Sequence, residues 1–293
     1  MQTLKILVTS QKGGVGKSTI AANLAAFFRK NKNLGTTLID FDPHGSSSSW
    51  VNRSAPLGVV VQHHPLPVNL GKKRALLEGR THLRHAAQAS DVVIADLTWT
   101  DATDEEMLYD YDLVLTPVSL SAIEVAATIT FLHRLHWVFD TTTRLAPQLV
   151  ICPSRVDDPA MIEPLFTQQR FPISFLLAPP ILTSNEARNL FEKGYLIDLP
   201  DGAGHSFMGF GHAVADAGQR QVSKRVQAPK APRINDIQHT HGASDVLNRF
   251  MKQQNTRTTQ ASQPRPTPAS TLRPAPPAVK PGFLDRLRLF GKE

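Results

Sequence analysis

One cysteine, Cys152, occurs in the 293 residues. An intramolecular disulfide framework is therefore excluded. A small thiol inside the apolar run Gln148 to Cys152 reads as core rather than nucleophile, in keeping with a reducing cytoplasm. No uninterrupted apolar run approaches the roughly 18 to 20 residues that a spanning helix needs, so the chain is not expected to cross a membrane. No leader precedes the first apolar strand, so a signal peptide is not expected. Histidine is not scarce, at eleven residues, but its spacing lacks the convergent ligand set of a zinc site. His133 and His136 lie one turn apart with no cysteine beside them, and His63-His64 follows a strand.

With 41% hydrophobic content the chain can bury one large core and still leave length for appendages. Leu4 to Thr9 reads as a buried strand, and Ser18 to Lys30 as a helix in which Ile20, Leu24 and Phe27/Phe28 recur at helical spacing. Between them stands Gln11-Lys12-Gly13-Gly14-Val15-Gly16-Lys17-Ser18-Thr19, a phosphate-binding loop with a second lysine near its start. Gly13, Gly14 and Gly16 can take backbone angles closed to other residues, so successive N–H groups can be aimed at one anion at a helix N-terminus. Lys17 is expected beside the β and γ phosphates of a nucleoside triphosphate, and the Ser18 hydroxyl on magnesium.

Strand and helix alternate onward. Gly58 to Gln62, Val92 to Asp96, Asp112 to Val118, Gln148 to Cys152 and Ile173 to Leu177 read as strands, and Lys72 to Ala89 and Ser121 to Phe139 as helices. Ser121 and Glu124 stand at capping-box spacing. The expected fold is α/β, a mostly parallel sheet with helices on both faces and ligand loops at the carboxyl ends of its strands. The basic run Lys72, Lys73, Arg74, Arg80, His82, Arg84 and His85 reads as a solvated helix face. The Gly-rich stretch from Gly202 through Gly211 is expected to precede a last domain helix over residues 212 to 226.

Lys12 sets the loop apart from an ordinary Walker A motif. Lys-Gly-Gly-x-Gly-Lys-Ser closely resembles the deviant loop of the ParA/MinD family of ATPases. The resemblance implies an ATP-bound sandwich dimer in which Lys12 reaches the partner's nucleotide. It continues in Leu38-Ile39-Asp40-Phe41-Asp42-Pro43-His44-Gly45, where Asp42 is implied to help place the attacking water, and in Trp50 and Arg53. Asp96, ending Val92-Val93-Ile94-Ala95-Asp96, matches the Walker B acid and is implied to hold the magnesium shell from its second sphere. The cofactors so implied are ATP and Mg2+, bound through Gly13, Gly14, Val15, Gly16, Lys17, Ser18 and Thr19, with Lys12, Lys17 and Asp42 serving hydrolysis. The chain departs from the family after Asp96. Leu97-Thr98-Trp99-Thr100-Asp101 stands where Pro or Gly is usual, so turnover is expected to be slow or stimulated by an activating or cargo-adaptor protein. Segments 153–157 and 182–187 match parts of the family near the base or the dimer surface.

Composition divides the chain into an ATPase domain over 1–226, a Pro/Gln/Thr-rich linker over 227–281 that cannot bury enough apolar surface to order itself, and a terminal helix over 282–293. At 100° per residue Phe283, Leu284, Leu287 and Phe290 share one stripe, flanked by Arg286 and Arg288. Such a helix lies in a membrane interface with its arginine stems snorkelling toward lipid phosphates, and it resembles the membrane-targeting helix that ends MinD-type proteins. Residues 254–293 carry a net charge of +5 out of the chain's +7, placing the basic character where anionic lipid is met. Burying the four stripe side chains contributes roughly 1.5 to 3 kcal/mol each, while ordering a free tail costs about 1 to 2 kcal/mol per residue. One tail binds weakly, and an ATP dimer presenting two gains avidity.

With the resemblance, these features imply an ATP-switched homodimer, expected to be cytoplasmic and peripheral on the inner face of the membrane, that positions a cellular cargo. Two alternatives stand beside it. One is a ParA-type partition ATPase whose ATP dimer binds nucleoid DNA nonspecifically, and the other is an ATP-binding scaffold with little turnover. No helix-turn-helix precedes the phosphate loop, which argues against sequence-specific operator binding.

Overall fold

The computed structural model describes residues 2–142 and 144–227. In chain order the elements are β1 (Leu4–Ser10), α1 (Lys17–Lys30), β2 (Thr36–Asp40), α2 (Ser46–Arg53), β3 (Val60–His63), α3 (Lys72–Ala89), β4 (Val92–Thr98) and β5 (Leu113–Val118). After them come α4 (Ala122–Phe139), β6 (Gln148–Val156), α5 (Ile162–Thr167), β7 (Leu176–Leu177), β8 (Ile181–Leu182), α6 (Asn185–Arg188) and α7 (Gly202–Gln227). All strand pairings are parallel, in the order β3-β2-β4-β1-β5-β6-β7, with β8 pairing separately to β6.

Parallel strands covered on both faces read as near-continuous apolar runs, and here their alternation sorts residues into two cores. Ile6, Val8, Leu38, Ile94, Leu113 and Leu115 face α1 and α7, with Phe27, Phe207, Phe210 and Val214 packed on them. Leu7, Ile39, Val93, Ala95 and Val114 face the other way, onto Leu76 and Leu83 of α3 and Leu132 and Leu135 of α4. The sheet is thus fixed from both sides, and its carboxyl ends are left to carry loops.

The structure revises several expectations from the sequence. Strand β6 runs on to Val156, and only Leu176–Leu177 of the expected 173–177 strand pairs. Helix α7 begins at Gly202, ten residues before the expected start, and ends at Gln227, the first residue assigned to the linker. The glycines do not break this helix because its neighbours need their missing side chains. A Cβ at Gly211 would stand 2.7 Å from the Phe27 ring, and one at Gly218 would stand 2.6 Å from Leu4. Seven-residue spacing brings both to the face against α1 and β1, where close approach outweighs the roughly 1 kcal/mol propensity cost of each helical glycine. Arg225 then ties the last turn of α7 to the sheet, pairing with Asp112 at 2.6 Å and donating to the Thr3 carbonyl at 2.9 Å.

The capping box does not form. Ser121 makes no side-chain cap, and Glu124 turns back to accept from the Ser119 amide and hydroxyl. The rest of the expected linker and the expected terminal helix at Phe283, Leu284, Arg286, Leu287, Arg288 and Phe290 lie outside the described residues. Among the described residues no helix is long and apolar enough to cross a membrane.

Candidate functional site

The phosphate loop is suspended between β1 and α1 by hydroxyls that hold its carbonyls. Ser10 Oγ donates to the Lys12 carbonyl at 2.8 Å, and Ser154 Oγ of β6 donates to the Val15 carbonyl at 2.8 Å. With those carbonyls engaged, the loop amides are left for an anion at the start of α1. Gly14 and Gly16 have φ of 73° and 98°, the left-handed region where a side chain is strained, and Gly16 occupies the N-cap of α1 with no side-chain cap of its own. No heavy atom lies within 4 Å of where a Cβ would sit on Gly13 or Gly14, so the cradle is open.

Beneath it Val15 is buried, Ser18 and Thr19 are half-buried at the head of α1, and Lys17 is only 7% exposed. Burial holds the Lys17 ammonium below the ordinary lysine range, while Asp96 and Asp42 pull it back up. Its Nζ lies 3.4 Å from the Lys12 carbonyl. A charged amine in a low-dielectric pocket is a strong receptor for phosphate oxygens.

Parallel register brings the acids together. Asp40 at the end of β2 pairs with Asp96 of β4, and Asp96 pairs with Val8 of β1 beside the loop. Asp40 wires the chain that follows it, accepting from the Asp42 amide at 3.0 Å and the Ser48 amide at 2.9 Å. Asp96 is fully buried. Desolvation and the nearby Asp40 raise its carboxyl to about 6, against the pull of the Ser18 and Ser47 hydroxyls and of Lys17. Those hydroxyls lie near Asp96 but do not meet it with hydrogen-bond geometry, so both Asp96 carboxylate oxygens and the Ser47 hydroxyl are buried without a hydrogen-bond partner in the protein. Orphaned buried acceptors of this kind carry a free-energy cost that a hydrated divalent cation removes. The donor set around Ser18, Asp96 and Ser47 therefore fits magnesium on a nucleotide.

Asp42 lies above this floor, half-buried. Burial pushes its carboxyl up, but hydrogen bonds from the Thr98 hydroxyl and the His44 amide, with the charges of His44 and Lys17, more than offset that and hold it below the usual carboxylate range. His63 Nε2 meets the Asp42 carbonyl at 2.9 Å, so the end of β3 braces the same turn. The outermost residue is Lys12, whose side chain is 44% exposed and pairs with Glu124 at 3.2 Å, with Arg155 at 4.0 Å from the same carboxylate. Beside the loop, Gly16, Thr19, Ser154, Arg155, Leu182 and Thr183 line a cavity of about 170 Å³, where the two segments matched to the base or dimer surface meet.

Lys12, Lys17, Ser18, Asp42 and Asp96 thus converge at the carboxyl edge of one sheet. Sequence reading missed Ser47, Thr98 and His63 as members of the site and took Glu124 for a helix cap. Only strand register could have revealed Thr98. The other expected clusters are engaged elsewhere. Lys73 pairs with Asp104 at 3.2 Å, Arg80 with Asp110 at 2.7 Å and Arg74 with Glu78 at 3.0 Å, so much of the basic face of α3 is neutralised locally. Cys152 is fully buried, and burial pushes its thiol far up, out of the nucleophile range.

A parallel α/β sheet with a phosphate loop, a buried lysine and an acid on the adjacent strand defines a phosphate-loop nucleotide-binding domain. A model of the CobQ/CobB/MinD/ParA nucleotide-binding domain matches residues 6–263, and the chain belongs to that family. Maintenance of carboxysome distribution protein A of Halothiobacillus neapolitanus is 26% identical over 153 residues, 50% of this chain and 64% of that protein. The chromosome-partitioning ATPase Soj of Thermus thermophilus is 37% identical over 136 residues, 42% of this chain and 49% of that protein. The chain thus spans about half to just under two thirds of the length of these relatives. Among solved structures, cobyrinic acid a,c-diamide synthase of Mycobacterium smegmatis with bound ATP analogue and magnesium aligns at TM-score 0.57, over 73% of this chain and 94% of that one, at 18% identity. That likeness shows the fold.

Proposed function

We propose that the protein is an ATP-dependent, dimerising switch that positions a cellular cargo, working peripherally on membrane through its C-terminal stripe. The observation that carries the nucleotide part is the division of labour between two lysines of one loop. Lys17 is sunk against Asp96 and Asp42, placed to neutralise the phosphates of its own nucleotide, whereas Lys12 points out at the rim. A rim lysine has no phosphate to serve until a second copy presents one, which ties ATP to dimerisation. Ser18, with Asp96 behind it, would hold magnesium, which would supply charge neutralisation at the phosphates. Asp42, half-buried above this floor, is the acid to which the placing of the attacking water is assigned. Turnover is slow until a partner protein completes the site.

The positioning role is supported by relatives named for carboxysome distribution and chromosome partitioning. The membrane part rests on the stripe of Phe283, Leu284, Leu287 and Phe290 with Arg286 and Arg288 beside it. The partition relative also favours a second reading, in which the ATP dimer binds DNA nonspecifically. Co-sedimentation with anionic liposomes and with DNA, each with ATP and with ADP, separates the two. The membrane reading expects ATP-dependent pelleting with liposomes, lost on deleting residues 282–293 and weakened by salt through screening. Pelleting with DNA alone would replace it by the partition reading.

A further inference from the structure

Where the family resemblance leads one to expect Pro or Gly after the Walker B acid, this chain has a hydroxyl, and parallel register gives that hydroxyl a specific neighbour. Strands β2 and β4 pair Asp40 with Asp96. Two residues further along each chain stand Asp42, in the turn that leaves β2, and Thr98, the last residue of β4. The Thr98 Oγ1 donates a hydrogen bond to Asp42 Oδ2, while the His44 amide donates to Oδ1 at 3.0 Å. Both oxygens of the carboxylate are thereby held, one from the sheet and one from its own turn. Behind them the Asp42 carbonyl is met by the Gly45 amide at 3.1 Å and by His63 Nε2 at 2.9 Å. Thr98 is itself fixed, since β4 pairs Thr98 with Ser10, the last residue of β1 before the phosphate loop.

We propose that Thr98 is a positioning residue that sets the orientation of the Asp42 carboxylate and, through it, of the turn over residues 42–46 relative to the phosphate loop. Proline has no side-chain donor and glycine has no side chain, so neither residue can do this at position 98. A hydrogen bond to a charged carboxylate is stronger than one between neutral groups, and it acts across two strands that otherwise reach the site separately. The segment after Asp96 then supplies a donor that keeps the Asp42 carboxylate aimed. The inference rests on the ATPase reading for its catalytic consequence, but not for its structural one.

The test uses the full chain with Thr98→Val, which keeps the shape and strand preference, and Thr98→Ser, which keeps the donor. Steady-state ATP hydrolysis should show kcat lowered at least about tenfold in Thr98→Val with KM within about twofold, and recovered to within about threefold of wild type in Thr98→Ser. In the nucleotide-free protein, amide hydrogen exchange over residues 42–48 should quicken in Thr98→Val and return in Thr98→Ser, while exchange in the rest of β4 stays at the wild-type rate. An unchanged rate and unchanged exchange in Thr98→Val would overturn the proposal, as would an equal loss in Thr98→Ser, which would reduce position 98 to packing. Should wild type hydrolyse no ATP, the ATPase reading fails. The exchange comparison still decides whether Thr98 positions Asp42, quickened exchange supporting it and unchanged exchange refuting it.

Discussion

The floor and the rim of this site are built from the same residue types to opposite ends. On the floor Lys17, Asp40 and Asp96 are buried, the two acids are set side by side by strand register, and Asp96 is kept at a cost that a bound metal ion would relieve. On the rim Lys12, Glu124 and Arg155 meet through long, partly exposed side chains at 3.2 and 4.0 Å, contacts that water screens and that part with little loss. A buried charge resists change and suits a permanent ligand site. An exposed pair exchanges partners readily, which is what the proposed dimer contact of Lys12 would require.

The largest effect expected is on the floor. Lys17→Ala removes the buried cation and should weaken ATP binding by about a hundredfold or more, read by fluorescent-nucleotide titration. Binding within about threefold of wild type would break the contrast, because the floor would then not carry the phosphate affinity.

Of similar size is the cost of Asp96. Its folded carboxyl is raised from 3.8 to about 6, so the folded state binds the proton more tightly than the unfolded one. Below pH about 4 both states are protonated and no cost appears. The cost grows as pH rises through that interval and is complete above about 6, where it reaches about 3 kcal/mol. Asp96→Asn in nucleotide-free, magnesium-free protein should therefore match wild type near pH 3.5 and be more stable by about 3 kcal/mol at pH 8. Chemical denaturation across that range checks it, and a pH-independent difference would remove the strain assigned to the floor.

The core behind the floor offers an intermediate effect. Gly211→Ala places a methyl 2.7 Å from the Phe27 ring and should destabilise by about 1 to 3 kcal/mol by denaturant titration. No loss would mean that α7 is loosely seated on α1. The smallest effect belongs to the rim. Glu124→Gln keeps the Ser119 contacts and removes the charge facing Lys12, so stability should shift by less than about 1 kcal/mol. A loss above about 2 kcal/mol would make the rim pair structural, against the role given to Lys12.

The same contrast governs what the sequence disclosed. The phosphate loop lies in one contiguous run, so spacing alone placed Gly13 to Thr19 between a strand and a helix, and alternating strands announced the parallel sheet. Thr98 and Asp42 meet only because β2 and β4 pair in one register, which no local pattern reveals. Glu124 has capping-box spacing, but the ammonium of Lys12 and the Ser119 donors outbid the Ser121 amide. Glycines read as a helix stop before residue 212 because propensity was weighed without Phe27 and Leu4, the side chains that need their absence.

In the proposed switch Lys12 waits at the rim for the nucleotide of a second copy. Light scattering coupled to size exclusion, run on wild type and Lys12→Ala with a slowly hydrolysed ATP analogue and with ADP, tests it directly. A dimer is expected for wild type with the analogue, a monomer with ADP, and a monomer for Lys12→Ala with either, although the variant still binds nucleotide. Equal masses for wild type in both nucleotides, or an undiminished dimer of Lys12→Ala, would contradict it.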